Sequence, residues 1–316
     1  MDGFLHCFEG GDVLKKYLPH LVIAATGIAA LSVYEVVQNQ ALHLVIRELY
    51  LKDLDPSLDR LRIAQITDLH GARYGRHNSR LAAMITAAQP DVLCMTGDMV
   101  HHIRDEGTSF LELITRLDRD LPKLYVTGNH ESQKESKTLQ GREETRLFER
   151  LDHLGVVRLA HDSWQMPGRP IRFAGLADRR GIYEDIHLEE ESFEPFRELP
   201  LPDPEQFNVA LCHRPYYFRS IASYGYDLML SGHVHGGVLR LPGLGGVLSP
   251  TWHFFPELDK GLFSYKGSHL YVSSGLGLSK PLPRLGNRPE VVLLILRSGE
   301  APWDMPMKVR ALIKEL

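Results

Sequence analysis

The sequence predicts an α/β layered fold, and two observations carry that prediction. From Leu42 onward, short apolar runs of strand length alternate with segments whose apolar residues recur at helical spacing. Five of those runs stop on Asp, His or Asn, where the chain must turn. Ligands of open α/β sheets gather beyond the carboxyl ends of the strands, so five such endings predict one shared crevice.

The elements follow in order. Residues 17–34 run without a charge after Lys15 and Lys16, a length at the lower end of what spans a bilayer. Glu35 and Gln38-Asn39-Gln40 come next, with no small-x-small site, so a cleaved signal peptide fits poorly and an uncleaved anchor or membrane-surface helix fits better. The competing reading is an apolar helix packed on the main domain. Lys15 and Lys16 are matched by Arg47 and Lys52 on the other side, so charge does not tell which side of a membrane the chain faces. Residues 1–40 are read as an N-terminal apolar helix or membrane anchor and residues 41–316 as one domain.

Residues 61–67 alternate as a strand and stop at Asp68-Leu-His70. Residues 91–96 form an apolar strand core and stop at Gly97-Asp98. Residues 123–127 stop at Gly128-Asn129-His130-Glu131, residues 208–212 at His213, and residues 227–231 at Gly232-His233-Val234-His235. Between the early strands, Leu81, Met84, Ile85 and Ala88, then Phe110, Leu113, Ile114 and Leu117, mark helices. Asn78 or Ser79, and Ser109, sit where N-caps belong. Gly97, Gly128 and Gly232 are expected to turn the backbone sharply, so that the next side chain points back over the sheet edge.

Composition narrows the chemistry. With 43% hydrophobic and 24% charged residues, the chain buries a sizeable core and is neither disordered, collagen-like nor disulfide-dense. Its 36 Lys+Arg against 40 Asp+Glu give a formal charge of −4, so no nucleic-acid partner is expected. Sixteen His against 3 Cys mean that a bound metal takes nitrogen and oxygen ligands. Cys94 and Cys212 lie in apolar runs and read as buried small hydrophobes.

The strand ends bring together two carboxylates, Asp68 and Asp98, the amide oxygen of Asn129, and the imidazoles of His70, His130, His213, His233 and His235. Eight donors exceed what one ion takes from protein; two divalent ions sharing a bridging carboxylate, ~3.5–4 Å apart, would use them. Manganese, iron, zinc or cobalt suit such donors, and calcium is disfavoured by so many imidazoles. A metal pair lowers the pKa of a bridging water, clamps a phosphoryl oxygen and stabilises the leaving group, which points to phosphate-ester hydrolysis. Competing chemistries fail on spacing. Lys134 stands where a zincin-like pair beginning at His130-Glu131 needs its second histidine. Neither a Gly-x-Ser-x-Gly elbow nor a Gly-Lys-Ser/Thr loop occurs, and Gly243-Leu-Gly245 and Gly275-Leu-Gly277 lack the third glycine of a dinucleotide fingerprint.

Asp68-x-His70, Gly97-Asp98, Gly128-Asn129-His130, His213 and Gly232-His233-x-His235 resemble the full motif set of the calcineurin-like metallophosphoesterases over residues 60–297. The resemblance implies a four-layer α/β/β/α sandwich of two mixed sheets with a two-metal site at the sheet edge. It implies that Asp68, His70 and His235 hold one ion, that Asn129, His213 and His233 hold the second, and that Asp98 bridges both. His130 would be the catalytic residue, orienting the phosphate and protonating the leaving oxygen. Glu131 stands where the family usually has Asp, and is expected to tune that imidazole. Gly236-Gly237-Val-Leu-Arg240-Leu-Pro-Gly243, the segment from Tyr271 to Gly277, and Arg288-Pro-Glu290 resemble a bacterial membrane-associated branch. Relatives in that branch act on lipid-borne phosphates, including phospholipid head groups and the pyrophosphate of UDP-diacylglucosamine. The resemblance therefore implies hydrolysis of a phosphodiester or pyrophosphate by metal-bridged hydroxide on a lipid-linked substrate, with manganese first among the ions, at the bacterial cell membrane.

Residues 241–256 carry no charge and include Leu244, Trp252, Phe254 and Phe255. They read either as a loop beside the metals that touches acyl chains or the membrane surface, or as an Ω-like loop folded on its own core. Arg73, Arg76, Arg214 and Arg240 lie near motif ends; Arg214 and Arg240 are the candidate substrate contacts, Arg214 foremost. The acidic stretch from Glu184 to Glu205 reads as a solvated helix or cap. Two other functions compete: hydrolysis of a soluble phosphodiester or phosphomonoester, and a non-catalytic metal-binding scaffold, which would be expected to have lost ligands.

Overall fold

The computed structural model describes residues 10–101, 105–132, 142–178, 198–237, 239–241, 243–249, 254–279, 284–301 and 313–315. The chain opens on α1 (Gly10–Gln40) and passes through β1 (His43–Leu51) and β2 (Arg62–Ile66). It then alternates through α2 (Ser79–Ala87), β3 (Val92–Thr96), α3 (Thr108–Ile114), β4 (Lys123–Val126), α4 (Arg142–His153) and β5 (Val156–Arg158). Next come β6 (Ser163–Gln165), β7 (Ile171–Leu176), β8 (Phe207–Cys212), α5 (Phe218–Tyr224) and β9 (Leu228–Ser231). A hairpin of β10 (Leu239–Leu241) and β11 (Gly245–Leu248) precedes β12 (Gly261–Tyr265), β13 (Ser268–Val272), β14 (Glu290–Ser298) and β15 (Ile313–Glu315).

The strands form two mixed sheets, ordered β1-β14-β2-β3-β4-β5 and β15-β12-β13-β9-β8-β7-β6. In the first, β2 to β5 run parallel and β14 is antiparallel to β2. In the second, β7, β8, β9 and β13 run parallel. Side chains alternate along each strand, which sorts them into three cores. Val92 and Cys94 of β3 face the second sheet and pack with Phe173, Val209, Leu211 and Leu230. Leu93 and Met95 face outward and are covered by Leu81 and Ile85 of α2, Phe110 and Leu113 of α3, and Leu147 of α4. On the far side, Ala210, Cys212 and Met229 are covered by Phe218 and Ile221 of α5. Both faces of β3 are thus buried, which is why its run is apolar without a break. The result is the four-layer α/β/β/α sandwich. Each large core side chain contributes about 1.5–3 kcal/mol by leaving water.

Parallel strands put their carboxyl ends at one edge. There Gln65, fully buried, donates to Thr96 Oγ1 (3.0 Å) and to Ser231 O (2.9 Å), joining the two sheets behind the strand-end residues. The helix starts differ from the expected caps. Asn78 precedes α2 in a left-handed conformation, but its side chain accepts from Tyr74 N and donates to Ser109, because Ser109 lies one residue inside α3 and faces it.

Helix α1 leaves its apolar stretch exposed. Its stretch Tyr17–Gln40 has mean hydropathy 1.7 and none of it is buried; among the described residues it alone is long and apolar enough to cross a membrane. Its carboxyl end is joined to the domain through Gln38 to Arg288 (3.1 Å) and Gln40 O to Arg80 (3.4 Å). Trp252 and most of the acidic stretch lie outside the described residues.

Candidate metal centre

The five strand ends converge. Asp68 and His70 follow β2, Asp98 follows β3, Asn129 and His130 follow β4, His213 follows β8, and His233 and His235 follow β9. Two groups form, Asp68 with His70 and His235, and Asp98 with His213 and His233; within each, one donor atom per residue lies within 4.8 Å of the others. His70 Nε2 is 3.2 Å from His235 Nε2, and His213 Nε2 is 3.2 Å from His233 Nδ1. Asp98 Oδ2 reaches both groups, at 3.2 Å from His213 Nε2 and 3.7 Å from His70 Nε2. Asp68 Oδ1 lies 3.4 Å from His235 Nε2 and 3.7 Å from His70 Nε2.

The backbone that presents these groups is strained. Asp68, His70, Asp98, His233 and His235 all have φ between 45° and 71°, a left-handed conformation that costs L residues about 1–2 kcal/mol each and that Asp and His tolerate better than most. Cross-loop hydrogen bonds hold it: Asp68 N to Gly97 O (3.0 Å), His70 N to Asp98 O (3.1 Å) and His233 N to the Asp68 carboxylate (3.1 Å). One glycine acts as expected and two do not. Gly97 turns the chain at φ 91°. Gly128 and Gly232 serve by leaving space, since a Cβ at Gly128 would lie 2.3 Å from Asp98 Oδ1 and one at Gly232 2.2 Å from Thr67 Oγ1.

Electrostatics suits a cation. Burial alone would raise both carboxyls, but His235, His70 and His213 hold Asp68 down, and His213, His130 and His70 hold Asp98 well below the usual carboxylate range. Burial opposes a charge on His213, yet Asp98, Asp68 and Asp178 push it up to about 10. Burial, together with His213 and Arg214, keeps His233 neutral, and burial takes His235 down to about 3 against the pull of Asp68. The carboxylates therefore draw positive charge into the site, held as a proton on His213, while His233 and His235 stay neutral and offer lone pairs.

The donor set fits two divalent ions. His213 Nδ1 donates to Thr96 O (2.8 Å), which turns Nε2 toward the cluster, the arrangement expected of a metal-ligating histidine. Asn129 Oδ1 is buried with no hydrogen-bond partner, an orphaned acceptor that an ion would satisfy. His130 stands beside the groups, its Nε2 3.9 Å from Asp98 Oδ2 and its Nδ1 on the backbone oxygen of His101.

Glu131 does not tune His130. Its buried carboxylate accepts the backbone N–H groups of Asp98 (2.9 Å), Met99 (2.7 Å), Val100 (3.1 Å) and Gly128 (2.8 Å), because the turn after Gly128 sends the side chain under the loop. Arg214 is paired with Asp178, Nε to Oδ2 at 2.5 Å, and Arg240 with Asp259 at 2.8 Å. Arg73 is paired with Glu112 at 2.9 Å.

Sequence reasoning missed three residues. Asp178 follows β7, a sixth strand end and a third carboxylate, legible by the same rule as the others. His101 forms a further group with His70 and His130 and lies on the Asp98 loop, three residues on. Arg284 is fully buried behind His235, Nη2 3.3 Å from Nδ1, and had no sequence signal.

The calcineurin-like phosphoesterase family model matches residues 61–237, more than half of the chain and all five strand ends. The chain is 25% identical over 248 residues to the metallophosphoesterase YkuE of Bacillus subtilis, covering 76% of this chain and 80% of the relative. It is 28% identical over 241 residues to the phosphodiesterase YaeI of Escherichia coli, covering 74% and 82%. A transmembrane protein with a metallophosphoesterase domain from Danio rerio is 27% identical over 290 residues, covering 88% and 63%. Family and clusters together indicate a binuclear divalent metal site. The chain belongs to the calcineurin-like phosphoesterase family and is a metal-dependent phosphoester hydrolase.

Proposed function

We propose that this hydrolase cleaves a phosphodiester or pyrophosphate bond in a lipid-linked substrate at a bacterial membrane. Asp68, His70 and His235 hold one ion in this reading, Asn129, His213 and His233 the second, and Asp98 both. The observation that carries it is the position of Asp98 Oδ2, within 3.7 Å of a histidine of each group. Manganese is the ion proposed, with iron, zinc or cobalt as alternatives for the same N/O donor set. Bound ions would supply a water of low pKa and neutralise charge on phosphoryl oxygens.

The chain's own groups supply the rest. His130 is the proposed proton donor to the leaving oxygen: its Nδ1–H is held by His101 O, so Nε2 faces the cluster. Arg214 and Arg240 are the proposed phosphate contacts, each steadied by a carboxylate. Residues 1–40 serve as the attachment and residues 41–316 as the hydrolase domain. The membrane part is supported by the exposed apolar stretch Tyr17–Gln40. The name of the zebrafish relative agrees with it.

The test uses full-length protein stripped of metal and resupplied with Mn, Zn, Fe, Co or Mg. It is offered an aryl phosphodiester, an aryl phosphomonoester, phospholipid vesicles and UDP-diacylglucosamine. Activity that requires an added ion, with turnover of one of the lipids, is expected. Activity untouched by chelation would overturn the two-ion reading, and turnover confined to soluble esters would overturn the lipid one.

A further inference from the structure

One short segment fastens three parts of the molecule. Arg284 Nη2 lies 3.3 Å from His235 Nδ1, and Asn287 Nδ2 donates to the backbone oxygen of His235. Between them Leu285 holds the β10–β11 hairpin, as a bridge to Leu239 and through Arg240 N to Leu285 O at 2.9 Å. Immediately after, Arg288 Nε donates to Gln38 Oε1 of α1 (3.1 Å), and Pro289 O accepts from His43 N (3.1 Å) just past the helix. Three residues of chain reach at most about 10 Å, so the end of α1, the root of the hairpin and the metal centre share one edge of the sandwich.

The hairpin grows out of the last metal motif and is built rigidly. Asp259 clamps its Arg240–Gly246 pair, accepting from Gly246 N (2.9 Å) and Arg240 Nη1 (2.8 Å), while Arg240 Nη1 also donates to Gly236 O (2.7 Å). Its tip is apolar and solvent-exposed, Leu241 43% and Leu244 64%, and so are Phe254, 72%, and Phe255, 60%, where the chain returns to the root end of β11. Phe254 and Phe255 are tied to β11 through the Leu248–Phe254 bridge and Phe255 N to Val247 O (3.0 Å). Clustered exposed side chains of this kind mark an interaction surface. The apolar stretch of α1, fastened to the same segment, says which surface.

We propose that the edge carrying the metal centre faces the lipid bilayer that α1 enters, with the β10–β11 hairpin and Phe254-Phe255 as a second lipid contact. This deepens the membrane reading above and rests on it. The hairpin dips into the headgroup layer beside the ions, so that a phosphoester at headgroup depth meets them without leaving the membrane. The opposite end of the strands then faces water.

Single-cysteine labelling of the full chain tests this. Cys7→Ser removes one native thiol. Cys94 and Cys212 are buried, so they stay unlabelled in the folded chain. Leu244→Cys and, as an independent site, Phe254→Cys receive an environment-sensitive fluorophore. Leu201→Cys is the control, 71% exposed at the opposite edge, where Arg172 at the start of β7 donates to Leu201 O. In vesicles of phosphatidylethanolamine and phosphatidylglycerol, labels at 244 and 254 should shift to the blue and lose iodide quenching severalfold relative to 201. Co-sedimentation with vesicles while 244 and 254 stay as quenchable as 201 overturns the orientation and leaves the membrane reading standing. Loss of co-sedimentation overturns the membrane reading itself. Protection of 244 without lipid, rising with protein concentration, would put a second copy on the hairpin and overturn the proposal.

Discussion

Glu131 carries the amide of Asp98 on its side chain, with Asp98 N 2.9 Å from Oε2, and the same oxygen accepts Gly128 N at 2.8 Å. One buried carboxylate thereby locks the loops after β3 and β4 to each other. Glu131→Gln presents an amide NH₂ to two of the four backbone N–H groups whichever way it is turned. Unsatisfied buried donors cost about 1–3 kcal/mol each, so the metal-free protein should lose about 2–6 kcal/mol. As Asp98 shifts, ion affinity should fall about 10–100-fold. Urea unfolding and calorimetric titration with Mn check the two effects, and an unchanged midpoint would show that the amides do not depend on the carboxylate.

His130→Ala separates a proton donor from a ligand. Its turnover should fall by ~10²–10⁴, the usual worth of a general acid, with both ions retained. Metal content by mass spectrometry decides the matter. Loss of an ion would make His130 a ligand, within the group it forms with His70 and His101.

Arg284 reaches His235 through a fully buried side chain whose other hydrogen bonds go to Gly275 O (3.3 Å) and Gly277 O. Those glycines pack against Asp68 and Leu69 so closely that a Cβ at Gly277 would lie 2.1 Å from Leu69 O. Arg284→Ala leaves the carbonyls of Gly275 and Gly277, which hold their loop over Asp68 and Leu69, without their donor. It should weaken one of two ions by about 10–100-fold, the usual loss on removing an outer partner of a ligand. Titration against a chelating dye would resolve two affinities, and a parallel loss in both would mean general unfolding instead.

The strand ends were legible because a polar residue that halts an apolar run stands out against periodicity, and parallel topology gathers such residues without further information. Asp178 obeys the same rule, yet Arg172 and Gly175 break the apolar run before it and hide the strand. Glu131 was misread for another reason. Adjacency to His130 suggests contact, whereas consecutive side chains leaving a turn diverge. The glycines were legible as necessary but not as to cause, since a positive φ at Gly97 and a crowded Cβ at Gly232 leave the same letter in the sequence. Arg284 depends on how residues 273–277 lie over the Asp68 loop, a long-range packing that no local pattern encodes.

His269, far from the ions at the start of β13, gives the pH dependence a clean probe. Burial lowers its pKa below the ordinary 6.5, and its Nδ1 is buried with no hydrogen-bond partner. The folded chain therefore holds the neutral ring while the unfolded chain takes up a proton near 6.5. Unfolding binds more protons in that window, so stability is full above 6.5 and is lost as the pH falls through the folded value. His43 adds to the same slope, since burial outweighs Pro289 and Glu290 and lowers it as well. His269→Leu removes one contribution and an unsatisfied nitrogen together. The metal-free variant should match or exceed the parent in Tm at pH 8, and its advantage should widen at pH 7, 6 and 5. Taking the difference between variant and parent cancels the histidines of the metal centre, which titrate in both. A gap that stays constant with pH would sink the assignment of His269 as a neutral buried ring.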